Sequence, residues 1–179
     1  MGGSSGEPDL SLVRVVLFDV DGVLTDGRIL WAADQNTVRG FHSRDGVGIK
    51  ILKRAGLVPG IISGGYSHAT VHRAKELGID HVAQGVENKT RKYLEMRDAI
   101  GFADAEACFI GDDLTDLGPM GRVAFPVAVA DAPIEVKRRA RLVTEHAGGR
   151  GAVREVVEVL LRARGAWDEI VRQYEAGER

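Results

Sequence analysis

Cysteine is almost missing from this chain: Cys108 is the only one among 179 residues. No internal disulfide can form, and that fits a reducing cytoplasm. Cys108 sits in the apolar run Ala107 to Ile110, where a lone cysteine reads as a small hydrophobe rather than a nucleophile. Long apolar runs are missing too. None approaches the roughly 20 residues of a membrane span, so no membrane partner is expected. Nor is there an excess of one charge. The formal net charge is −2 with both signs spread along the chain, whereas a nucleic-acid protein normally carries a basic stripe. The segment Met1 to Leu10 has neither the basic flank nor the apolar centre of a signal peptide. It is Gly/Ser-rich, and residues 1–10 are expected to be a disordered end or an expression remnant, leaving 11–179 as a single domain.

What is present is a rhythm. Arg14-Val-Val-Leu-Phe-Asp19 is a short continuous apolar run that ends in an acid, as a strand buried on both faces of a parallel sheet reads. Val58 to Ser63, Asp80 to Ala83, Ala107 to Gly111 and Phe125 to Val129 repeat it. Helical patterns lie between them. Val47, Ile51, Leu52 and Ala55 fall on one face, as do Thr70, Val71, Ala74 and Leu77. Lys89 to Ile100 is rich in helix formers, and Val153, Val156, Val157, Leu160 and Leu161 form the cleanest stripe. Alternating strands and helices predict an α/β, doubly wound, Rossmann-like three-layer domain with a parallel sheet. One segment breaks the rhythm: Arg28 to Trp31 and Thr37 to Phe41 flank Ala-Ala-Asp-Gln-Asn, a projecting β-hairpin with a polar turn. No insertion is long enough to form a separate cap domain.

In doubly wound sheets ligands bind beyond the carboxyl ends of the strands, and there the informative residues gather. Asp19-Val-Asp21-Gly22-Val-Leu-Thr25-Asp26-Gly27 follows the first strand. Unpaired carboxylates at the end of a buried strand are costly, and a cation is the simplest compensation. Taken alone, the segment also reads as a solvated turn. Ile61-Ile62-Ser63-Gly64-Gly65 puts a hydroxyl and flexible amides at the next strand end, groups able to hold phosphate oxygens or simply to make a turn. Asn88-Lys89 opens a helix, where a lysine can neutralise a phosphoryl group or lie in solvent. Phe109-Ile110-Gly111-Asp112-Asp113-Leu114-Thr115-Asp116 is a second apolar strand discharging into acids, and it offers further oxygen ligands for a hard cation such as Mg2+. The order of these pieces on successive strand ends is what makes them informative together.

These stretches, with Gln84-Gly85, Val127 to Ala132 and Gly148-Gly-Arg150-Gly-Ala-Val-Arg154-Glu155, resemble the haloacid dehalogenase (HAD) superfamily phosphatases of the capless type. Within them the chain is most similar to the 3-deoxy-D-manno-octulosonate 8-phosphate phosphatases, over nearly everything from Val13 to Leu161. The resemblance implies an HAD-like fold without a cap and a Mg2+-dependent phosphomonoesterase acting on a sugar-acid phosphate. It makes Asp19 the nucleophile and Asp21 the acid/base. Asp19, the Asp21 main-chain carbonyl and Asp112 become metal ligands, and Ser63, Gly64 and Lys89 phosphate ligands. Asp113 and Asp116 become orienting groups. It also implies a homotetramer built with the hairpin and with the glycine-rich tail covering a neighbour's site. Arg44, Asp45, Arg73 and Arg150 lie near positions where the family meets substrate. Where the family usually carries a basic residue after Ser-Gly, this chain has Gly65 and then Tyr66. A nine-carbon, sialic-acid-like sugar phosphate therefore stands as an alternative substrate. A receiver-type phosphorylation switch uses similar groups in another order, with the acidic pair contiguous and the lysine late. A phosphomutase would need a cap. A catalytically silent scaffold would not keep this set of residues.

Overall fold

A computed structural model describes residues 9–33 and 37–178. The centre of the expected hairpin turn, Asp34 to Asn36, and most of the expected N-terminal tail lie outside those residues. Leu10–Leu12 form a short 3-10 turn, so the expected boundary at residue 11 falls inside an ordered element.

The predicted strands form where the apolar runs lie. They are β1 (Val15–Phe18), β4 (Val58–Ile62), β5 (His81–Ala83), β6 (Ala107–Gly111) and β7 (Phe125–Ala128), joined by an unforeseen β8 (Leu142–Val143). All six pair in parallel in the order β5-β4-β1-β6-β7-β8. Chain order runs outward from β1 to one edge and then to the other, so β1 lies beside the point where the winding reverses. β1 and β6 are buried along their whole length, which is why they read as unbroken apolar runs. Cys108 is one of these buried residues, and burial pushes its thiol well above its usual range.

The helices are α1 (Ser43–Arg54), α2 (His68–Leu77), α3 (Lys89–Ile100), α4 (Leu117–Met120), α5 (Ile134–Lys137), α6 (Ala152–Ala163) and α7 (Trp167–Glu175). α1 packs against α6, which in turn meets α7, while α3 packs against α4. The α6 stripe Val153, Val156, Val157, Leu160 and Leu161 is fully buried, as expected. Two expected core residues are not buried: Val47 and Val71 are 41% and 43% exposed. On α1 the inward face is carried by Ile49, Ile51 and Leu52 instead. The hairpin is β2 (Leu30–Trp31) against β3 (Thr37–Val38), shorter than predicted but in the expected antiparallel pairing. Among the described residues no helix is long and apolar enough to cross a membrane.

Candidate active site

β1 lies between β4 and β6 with Phe18 level with both Ile61 and Ile110. That register brings three chain segments together: the acidic turn after Phe18, Ser63 after Ile62, and Asp112 after Gly111. The turn winds tightly on one acceptor, because the Val20 carbonyl takes the amides of Leu24 and Thr25, both at 3.0 Å. Gly22 has φ 90°, and a Cβ there would lie 1.9 Å from an Asp112 carboxylate oxygen. Glycine is thus required both for the turn and for the approach of the second acid.

Asp19 is 6% exposed and Lys89 5%. The Lys89 Nζ donates to Asp19 Oδ2 and to Asp116 Oδ1, each at 2.7 Å. Lysine stands there because Asn88 caps α3, its side chain accepting the Arg91 amide at 2.9 Å. Burial works against the Lys89 charge, but the two carboxylates more than offset it and hold the ammonium above its usual range. Carboxylate oxygens of Asp19, Asp112 and Asp116 lie within 4.8 Å of one another. Three acids against one lysine leave two negative charges uncompensated. Burial, then the charge on Asp116, pushes Asp19 up to about 6, with Lys89 opposing. Burial and the neighbouring Asp19 and Asp116 push Asp112 up to about 8.

The hydrogen bonds divide these acids by role. Asp116 is fully used: Oδ1 takes Lys89, and Oδ2 takes the amides of Asp112 at 3.0 Å and Asp113 at 3.3 Å. By contrast, Asp19 Oδ1 and Asp112 Oδ1 are buried with no hydrogen-bond partner among the described residues. Orphaned carboxylate oxygens on two acids of one cluster fit a hard divalent cation, which prefers carboxylate and carbonyl oxygen.

Proteins of known activity share this architecture. No family model matches the chain. The 3-deoxy-D-manno-octulosonate 8-phosphate phosphatase KdsC of Escherichia coli K12 is 40% identical over 157 residues, 88% of this chain and 84% of its own. The chain belongs to the 3-deoxy-D-manno-octulosonate 8-phosphate phosphatase family. A solved octulosonate 8-phosphate phosphatase from Moraxella catarrhalis, in complex with a magnesium ion, a phosphate ion and a KDO molecule, superposes with a TM-score of 0.90. Its identity is 32%, over 93% of this chain and 95% of its own. A putative HAD superfamily, subfamily III A, hydrolase from Legionella pneumophila gives 0.89 at 35% identity, over 94% and 92%. Membership in the HAD superfamily and the HAD-like fold follow.

Within this octulosonate phosphatase-family site, Asp19, Asp112 and Lys89 converge, and Ser63, 2% exposed, ends the neighbouring strand. The Asp21 side chain lies beside Gly65, two residues past Ser63. It is held by Arg39, whose Nε lies 2.7 Å from Oδ1 and whose terminal nitrogen lies 3.0 Å from Oδ2. Sequence reasoning missed Arg39 entirely. It follows β3, joins position 21 only through space, and belongs to no motif.

The four expected substrate residues separate. Arg44 and Arg150 are exposed and line a hollow of about 310 Å3 with His146 and Arg154. Asp45 is corrected: it is 2% exposed, and its oxygens accept the Gly151 amide at 3.2 Å and the Arg154 amide at 2.8 Å. It caps α6 from a distant part of the chain, so no substrate reaches it. Arg73 is engaged within the protein. It pairs with Glu76 at 2.8 Å, donates to the His42 carbonyl at 3.4 Å and lies over the Phe41 ring, bracing α2 against the start of α1. The glycine-rich tail is engaged within its own chain: Gly149 donates to the Val23 carbonyl at 2.9 Å. A Cβ on Gly148 would lie 1.7 Å from the Gly22 carbonyl oxygen. Gly148 and Gly149 thus lie as a strap over the acidic turn of their own chain.

Proposed function

We propose that this protein hydrolyses 3-deoxy-D-manno-octulosonate 8-phosphate, with Mg2+, through an aspartyl-phosphate intermediate. The carrying observation is the pair of orphaned oxygens on Asp19 and Asp112 beside the Lys89 ammonium. Lys89 favours the ionised, nucleophilic form of Asp19. Asp19 attacks phosphorus as the bond to the sugar oxygen breaks, and Asp21 gives that oxygen a proton. Asp21 then removes a proton from the water that attacks the aspartyl phosphate, freeing inorganic phosphate and Asp19. Ser63, the Gly64 amide and Lys89 hold the non-bridging oxygens. Asp19, the Asp21 main-chain carbonyl and Asp112 would hold the ion, which supplies charge neutralisation between carboxylate and phosphate. Asp116 fixes the loop that presents Asp112.

Arg44 and Arg150 supply positive charge for the sugar acid. Gly65 favours a second reading, because the basic residue usual at that position in the octulosonate phosphatases is missing, and a nine-carbon sugar-acid phosphate would fit the same chemistry. We also infer a homotetramer assembled through the hairpin. Its Ile29, Leu30, Trp31 and Val38 are 50%, 57%, 72% and 51% exposed, an apolar patch that association would cover. Phosphate release from eight- and nine-carbon substrates, with Mg2+ and with chelator, tests the proposal. Metal-dependent release from the eight-carbon compound well above the rest is expected, and its absence would overturn the assignment.

A further inference from the structure

We propose that Arg39 is the positioning residue of the acid/base Asp21, and that residue 65 is glycine because their ion pair fills the space a side chain would need. The proposal rests on the function above and adds a residue to its machinery.

Arg39 is an unusual arginine for a short hairpin. Only 3% of its side chain is exposed, and burying a guanidinium needs compensation. Asp21 supplies it with a two-point contact, and Thr37 Oγ1 accepts a third bond at 2.8 Å. Two parallel bonds fix the plane of a carboxylate as well as its position, which a lysine cannot do. Asp21 itself is only partly buried, its side chain 22% exposed, and no described residue but Arg39 takes its carboxylate. Its direction therefore comes from the hairpin, not from the sheet. During turnover one oxygen leaves the guanidinium to carry the proton while the other stays held, so the carboxyl group turns about a fixed contact.

Gly65 completes the device. A Cβ there would lie 2.9 Å from Asp21 Oδ2 and 3.3 Å from a terminal nitrogen of Arg39. Even a methyl group would push against the pair. Residue 39 on the hairpin, residue 21 on the catalytic turn and residue 65 beyond Ser63 thus form one contact.

A leaving-group comparison tests this. General acid catalysis matters for a sugar alkoxide and little for p-nitrophenolate, which departs without a proton. Arg39→Ala is expected to lower kcat/KM for the sugar phosphate by roughly 10- to 100-fold, part of the range general acid catalysis supplies. The same variant should lower kcat/KM for p-nitrophenyl phosphate less than about threefold and leave the Mg2+ requirement unchanged. Added guanidinium ion should restore part of the loss. Gly65→Ala should give a milder version of the same pattern in the parent and almost no further loss in Arg39→Ala, since the space is then free. Equal losses on both substrates, no rescue, or additive losses in the double variant would reduce Arg39 to a structural residue and overturn the proposal. If the parent shows no metal-dependent turnover, the proposed function fails instead.

Discussion

Two groups of carboxylates in this molecule have opposite fates. Asp45, Asp131 and Glu155 pin the glycine-rich strap. Asp45 takes two amides, Asp131 takes the Gly148 amide at 3.0 Å, and Glu155 takes the amides of Glu145 and His146 at 2.9 and 3.1 Å. Asp19 and Asp112 each keep a buried oxygen that no described residue satisfies by a hydrogen bond. Asp45 and Asp19 match in residue type and in burial, at 2% and 6% exposed. The difference is backbone: the strap offers amide donors, and the strand ends offer other acids. A buried carboxylate fed by amides holds a fold together, whereas one left hungry beside another acid waits for a ligand.

Asp19→Asn breaks the comparison most severely. Turnover should fall by at least about four orders of magnitude, as loss of a nucleophile does. The fold should survive, since the substitution removes a charge that repels Asp112 and Asp116. Substantial residual turnover would contradict the nucleophile assignment. Thermal melting of the same variant would separate lost chemistry from lost structure.

Metal binding gives the next effect. At a hundredfold excess over Kd, Mg2+ should stabilise the parent by about 2.7 kcal/mol, roughly 5–10 °C in Tm for a chain of this size. Asp112→Asn should abolish that shift. The pH dependence has a definite sign. Asp19 and Asp112 are raised to about 6 and about 8 in the folded, metal-free protein from an ordinary 3.8. The folded state then holds protons that the unfolded chain has released. Their contribution to stability is complete below about pH 4 and is lost as pH climbs through 6 and then 8. Tm without metal should fall across that window, and Mg2+ should flatten the fall by replacing the protons. A Tm profile unaffected by Mg2+ at pH 8 would refute the cation site.

Asp45→Ala probes the other group. Two amides lose their acceptor, which should cost about 1–3 kcal/mol of stability by denaturant titration, with KM little changed. A raised KM at undiminished stability would move Asp45 back among the substrate residues. The sequence could not make this distinction. Burial pushes the Asp45 carboxyl up while the Arg154 amide and His42 pull it down, and the amides that it accepts come from the fold. Asp45 and Gly151 are 106 positions apart.

Legibility follows the same division. β1 and β6 were readable because burial on both faces demands an unbroken apolar run, and Asp19 and Asp112 because each ends such a run. Gly22 was readable as a turn, but its second duty, clearing the way for Asp112, was not. β8 was too short to show any period, and the amphipathic α7, with Trp167 buried, went unread beyond the strong α6 stripe. Arg39 left no trace, since an arginine beside a hairpin strand ordinarily lies in solvent and only its contact with Asp21 gives it meaning. The orienting role of Asp116 came only from the family resemblance, and its bond to the Asp112 amide spans four residues.

The smallest effect concerns Arg44 and Arg150. Arg150 is 64% exposed along its side chain, with Asp26 3.6 Å away, and Arg44 has no ion-pair partner among the described residues. Neither holds the fold, so Arg44→Ala and Arg150→Ala should leave Tm unchanged. An exposed charge acting on an anionic substrate is worth up to about 1 kcal/mol, which sets a KM increase of roughly two- to fivefold for each. Screening sharpens the test. Ions shorten the reach of exposed charges to about 8 Å at physiological strength and about 3 Å at 1 M salt. The KM difference between parent and variant should therefore shrink as salt is added, while the kcat loss in Asp19→Asn, which depends on a covalent bond, should not move. If the Arg150 effect persists undiminished in 1 M salt, this arginine makes a direct, desolvated contact with the sugar acid and belongs with the buried acids, not with the exposed charges.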